Sequence, residues 1–105
     1  MIESSEPISE NPAIAHCMNA WQRIYSQQRA KGATNLSASA FAAPAYRKAM
    51  PPLSGRENIS DFVACVAQGI LIDAIDGNDA SKLLYAAQVA FATVRRQPSV
   101  PKAAA

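Results

Sequence analysis

One nearly unbroken apolar stretch, Ile59-Ser-Asp-Phe-Val-Ala-Cys-Val-Ala-Gln-Gly-Ile-Leu-Ile-Asp-Ala-Ile75, constrains the fold of this chain more than any other feature. At about 100 degrees per residue, Ile59, Phe62, Val63, Val66 and Ile70 fall on one stripe, with Asp61 and Gln68 on the opposite side. That period belongs to a helix rather than a strand. Ser54-Gly-Arg-Glu57 ahead of it fits a capping box, so the helix is expected to run from Ser54 towards Gly77. Beyond Gly69 the stripe breaks: Leu71, Ile72 and Ile75 point elsewhere, and this half is apolar nearly all round. A helix of this kind must be covered on several sides. The rest of the chain supplies part of that cover, and a second subunit is expected to supply the remainder.

The flanking sequence divides at its prolines and glycines. Asn11-Pro12 reads as an N-cap followed by proline at the first helical position, where its missing N–H costs nothing. Ile14, Cys17, Met18, Trp21, Ile24 and Tyr25 then recur at helical spacing until Gly32, so a first helix is predicted over about 12–31. Pro44 disfavours helical geometry at Ala43, which predicts a short helix from Pro44 to Pro51, preceded by a turn at Ser39–Ala42 that inserts Phe41 into the core. Asp76-Gly-Asn-Asp79 reads as a turn with Gly77 in left-handed geometry. A last helix follows from about Ala80 to Gln97, with Ala80, Leu83, Leu84, Ala87, Phe91 and Val94 on one face and Arg95 and Arg96 at the negative end of its dipole.

The predicted fold class is therefore all-α: a small bundle of three main helices plus a short proline-bounded helix, ending in a C-terminal antiparallel helical hairpin. A chain of 105 residues matches one domain. Residues 1–10 are expected to be a flexible acidic arm, 11–97 a single helical domain and 98–105 a disordered tail.

Composition excludes several kinds of chemistry. Asp61, Gln68 and Asp73 interrupt the only candidate bilayer span, and Met1–Pro7 lacks the basic flank and apolar core of a signal peptide, so a cytoplasmic protein without membrane partners is expected. Cys17 and Cys65 form no Cys-x-x-Cys pair and His16 is the single histidine, which leaves no metal-ligand set; no cofactor is expected. Adjacent His16 and Cys17 point about 100 degrees apart on a helix and do not make a nucleophile–base pair. None of the phosphate-binding, dinucleotide-binding, zinc-protease or serine-hydrolase motifs occurs, and a non-enzymatic role is expected.

The net charge of +2 conceals segregation. Glu3, Glu6 and Glu10 open the chain, residues 11–56 contain no acid, and Glu57, Asp61, Asp73, Asp76 and Asp79 then follow unopposed. Arg23, Arg29, Lys31, Arg47, Lys48 and Arg56, with Tyr46 as an exposed aromatic among them, form a candidate surface for phosphates or for an acidic protein. A solvated face with few charges would read the same way. If about four of these cations met DNA phosphates, the affinity would follow salt with a log–log slope of about −3.6. Leu71, Ile72, Ile75, Tyr85 and Val89 are candidate self-association residues, because they lie off the main stripes. Trp21 is assigned to the core. Asp73 is the odd residue: it falls on the apolar side of the central helix, near an end that disfavours negative charge. It either lies past the edge of the core or pairs with Lys82 or a basic residue of another helix, or else it is a buried carboxylate with a raised pKa.

Asp61-Phe-Val-Ala-Cys-Val-Ala-Gln-Gly-Ile-Leu-Ile72 and Leu83-Leu-Tyr-Ala-Ala-Gln-Val-Ala90 resemble segments of short, uncharacterised bacterial proteins. The resemblance covers the C-terminal half and implies a bacterial or mobile-element source and a helical hairpin, with no activity attached. The first functional expectation is a small interaction or regulatory module that binds a protein partner or forms a homodimer. The alternative is a nucleic-acid-binding accessory protein that uses the acid-free segment 11–56.

Overall fold

Asn11 caps the first helix. Its side chain accepts hydrogen bonds from the N–H groups of Ala13 (2.8 Å) and Ile14 (3.3 Å), and Pro12 follows at the first helical position. A computed structural model describes residues 11–96, which form four α-helices with no strand among the described residues. They are α1 (Pro12–Ala30), α2 (Asn35–Lys48), α3 (Arg56–Leu71) and α4 (Gly77–Arg96). The arm expected over 1–10 and the tail expected over 98–105 lie outside the described residues. No described helix is long and apolar enough to cross a membrane.

The helices pack as two pairs. α1 lies along α2 and α3 along α4, and contacts between α1 and α3 join the pairs. Cys17, Tyr46, Cys65 and Val66 are fully buried where the first three helices meet. Three buried alanines, Ala38, Ala42 and Ala43, let α2 close against its neighbours. Asn11 Nδ2 also donates to Asp61 Oδ1 (3.2 Å), so the cap of α1 is tied to the side of α3.

Several expectations are corrected here. α2 is one helix running through Pro44, not a short helix starting there. Both Pro44 and Ala40, whose carbonyl loses its partner, are exposed, so the freed group lies on a residue open to solvent. Threading the helix in this way turns Phe41 out to 59 % exposure instead of into the core. Tyr46 moves the other way. It is fully buried rather than an exposed aromatic, and its hydroxyl donates to the Cys65 carbonyl at 2.6 Å.

The capping box at Ser54 does not form either. Gly55 is the N-cap of α3, with φ +85 and no side-chain cap bond, and this backbone turn takes Ser54 out of register. At its other end α3 stops at Leu71 rather than reaching Gly77, closed by Asp73 N–H to Ile70 O (3.1 Å) and Ala74 N–H to Gly69 O (2.8 Å). This is the Schellman arrangement, with Asp73 at φ +61 where glycine is usual. Gly77 therefore does not make the turn; it is the first residue of α4. Asp76 caps that helix, with its Oδ1 accepting from Asp79 N–H at 2.8 Å.

Candidate docking face and cationic cleft

α3 and α4 run in opposite directions across a short connection, with Arg56 of α3 stacked 5.7 Å from the ring centre of Phe91 near the far end of α4. Between them lies a groove of about 500 Å³ lined by Ile59 and Val63 from α3 and by Leu84, Ala87 and Phe91 from α4, with Arg56, Ser60 and Gln88 at its edges. Its shape follows from side-chain size. α4 fully buries only Ala80 and Ala87, and behind such small residues its larger neighbours Leu84 and Phe91 stay partly in solvent. Tyr85 (68 % exposed) and Val89 (49 %) lie further round α4, outside the groove lining, and Leu71 (79 %) is exposed at the end of α3.

Of the candidate self-association residues, Leu71, Tyr85 and Val89 are exposed, while Ile72 is partly buried. Ile75 is corrected: it is buried at 2 % exposure and packs over Gly69, so it is core and not surface. Val63, Leu84 and Phe91 were missed as surface residues by sequence reasoning, because all three obey the helical stripe of a buried face. Stripe membership says which side is apolar, and not how much of that side a neighbour covers.

The basic residues divide. Arg29 donates to the Ala33 carbonyl (2.7 Å) and closes its own helix end, and Arg47 donates to the Ala74 carbonyl (2.8 Å) and pins the α3–α4 connection. Arg56 is engaged with Phe91. Lys31 caps α1 through its backbone N–H, and its side chain is exposed. Arg23 and Lys48, by contrast, share a cleft of about 330 Å³ between α1 and α2 with His16 and Asn19, over a floor of Ala20, Ala45 and Ala49. The structure thus separates the six basic side chains into three engaged ones (Arg29, Arg47 and Arg56), a solvent-exposed Lys31, and a small cationic cleft with Arg23 and Lys48. His16 belongs to that cleft, a position its helical spacing from Asn19 and Arg23 foreshadows.

Asp73 is exposed and serves backbone geometry, which removes the buried-carboxylate reading. The two thiols behave differently. Cys17 Sγ lies 3.8 Å from Cys65 Sγ, both fully buried. Burial, reinforced by Cys65, pushes the Cys17 thiol up to about 12, and burial also raises Cys65 and the Tyr46 hydroxyl. Thiols held neutral in this way are packing groups and poor nucleophiles. Trp21 stacks on Tyr25 at 4.7 Å, and its indole nitrogen is buried without a hydrogen-bond partner among the described residues. No group of three or more His, Cys, Asp or Glu able to hold a metal ion occurs among the described residues.

No protein-family model, no curated protein and no solved structure matches the chain.

Proposed function

We propose that this protein is a non-enzymatic helical interaction module that binds a protein partner through its α3–α4 face. The observation that carries this reading is the groove between the two helices, where Val63, Leu84 and Phe91 stay exposed. A contiguous apolar patch on a small domain costs free energy in water, and a partner surface that covers it recovers that cost. A facing helix with an apolar stripe has the matching shape, because its side chains enter the groove as ridges do between packed helices. A photo-crosslinking residue placed at Gln88, exposed on the groove lining, compared with one at exposed Gln27 on α1, tests the face in cells that express the protein. Discrete protein adducts at Gln88 and none at Gln27 are expected. Equal labelling at both positions, or none at Gln88, would overturn the reading.

The cationic cleft favours a second reading, contact with a nucleic-acid backbone through Arg23 and Lys48, assisted by His16. With two cations rather than the four entertained from sequence, the log–log salt slope falls to about −1.8. Fluorescence anisotropy with random-sequence DNA and RNA at two salt concentrations measures it. Arg23→Ala with Lys48→Ala should abolish binding and Arg29→Ala should not; an absence of binding at low salt would remove this reading.

A further inference from the structure

Cys17 and Cys65 are the two cysteines of the chain, 48 positions apart, and the fold sets them face to face. Their sulfurs lie 3.8 Å apart, one on α1 and one on α3, with both side chains fully buried. The register that opposes them is held on either side. Asn11 Nδ2 meets Asp61 Oδ1 at 3.2 Å before the pair, and Gln68 Nε2 meets Met18 Sδ at 3.8 Å after it, so the two helices run in the same direction with the sulfurs between two ties. The Tyr46 hydroxyl, donating to the carbonyl of Cys65 at 2.6 Å, fixes the backbone of α3 at the same level.

A single buried cysteine is ordinarily a small apolar packing group. A facing pair has chemistry that one thiol lacks. A disulfide has an S–S length of about 2.05 Å, so these sulfurs need to approach by less than about 2 Å, within the reach of rotation about the two Cα–Cβ bonds.

We propose that Cys17 and Cys65 close an intramolecular disulfide when the chain meets a small-molecule disulfide such as oxidised glutathione, and that this bond staples α1 to α3. In the first exchange, the thiolate of one cysteine attacks a sulfur of the oxidant, which forms a mixed disulfide and releases one glutathione thiol. The second cysteine then attacks the protein-side sulfur of that mixed disulfide and releases the other glutathione. Two protein thiols are oxidised, one glutathione disulfide is reduced to two thiols, and the two cysteine protons end on glutathione.

Because both sulfurs are shut away from solvent, the first exchange proceeds while α1 and α3 are parted and the second as they close. Burial also keeps the closed thiols neutral, with Cys17 pushed up to about 12, and it shields the finished bond from reducing thiols. The pair is therefore a latch set during folding or opening, not a fast sensor. Contacts between α1 and α3 join the two helical pairs, so the latch fixes one pair to the other.

The test equilibrates the purified chain, at low micromolar concentration, with a series of reduced and oxidised glutathione mixtures. One set is refolded by dilution from urea and the other is kept in unfolding urea; both are acid-quenched, digested and mapped by mass spectrometry. A peptide link between Cys17 and Cys65 is expected in the refolded set. The bond stabilises the fold by the same factor as the fold stabilises the bond, so its equilibrium constant should be about 10²-fold larger in the refolded chain than in urea. The oxidised chain should also melt about 10 °C above the reduced one. An equal or smaller constant in the refolded chain would overturn the proposal, since the fold would then oppose the bond. Glutathione left as a mixed disulfide on Cys17 or Cys65 after refolding, or disulfides between chains in place of the internal link, would overturn it as well.

Discussion

At Gly69 of α3, Tyr46 of α2 and Ile75 of the α3–α4 connection both press against the backbone. A Cβ there would lie 2.6 Å from Ile75 Cδ1 and 3.0 Å from Tyr46 Cε1, and both neighbours are themselves buried and unable to retreat. Overpacking of this kind costs about 1–3 kcal/mol, partly offset by the higher helix propensity of alanine, so Gly69→Ala should destabilise by about 1–2 kcal/mol in urea unfolding. Four residues on, Asp73→Gly should do the reverse and stabilise by about 1 kcal/mol, because glycine takes φ +61 without steric cost. The thiols make a chemical prediction. With Cys17 held near 12, its thiolate fraction at pH 7 is about 10⁻⁵, so Ellman's reagent should react only as fast as the core opens, and urea should accelerate it sharply. The same shift sets a pH dependence. Groups whose folded pKa is raised contribute stability that is fully present below their unfolded value, here 9.0, and that is lost as pH climbs towards 12. Unfolding followed by the single tryptophan, Trp21, should show stability falling from about pH 9 upward, and Cys17→Ala should reduce that fall.

Among the elements, α2 departs furthest from its local signals. Pro44 breaks a helix in isolation; here the bond it forfeits is on an exposed face, while Ala38, Ala42, Ala43 and Tyr46 bury the other side. Packing outweighs the local cost, but the cost remains. Pro44→Ala should therefore raise stability by about 1–2 kcal/mol with no change of fold, measured by thermal unfolding and far-ultraviolet circular dichroism. α3 departs from its signals at both ends, in each case because backbone conformation at one residue, Gly55 or Asp73, terminates the helix before the side-chain signals beyond it can act.

At the scale of the whole molecule, two helical pairs meet through α1 and α3, and stability is distributed accordingly. The Cys17–Tyr46–Cys65–Val66 core ties three helices together, whereas α4 hangs on α3. Amide hydrogen exchange should show α4 exchanging well before α1 and α3. Uniform protection across all helices would contradict this picture of α4.

Sequence alone determined that the chain is helical, where α1 begins and ends, and which side of α3 and α4 is apolar. Those properties depend on residues within a few positions of one another: Asn11 with Pro12, the Ile59–Ile70 stripe, and the Ala80–Val94 face. Only tertiary structure decided that α2 survives Pro44, that Tyr46 and Ile75 are core, that Leu84 and Phe91 stand at a groove, and that Arg23 and Lys48 meet His16 while Arg29 and Arg47 serve as tethers. The physical reason is one of range. Helix period and capping are encoded locally, but exposure depends on whether another element arrives to cover a face, and α4 has α3 as its main neighbour.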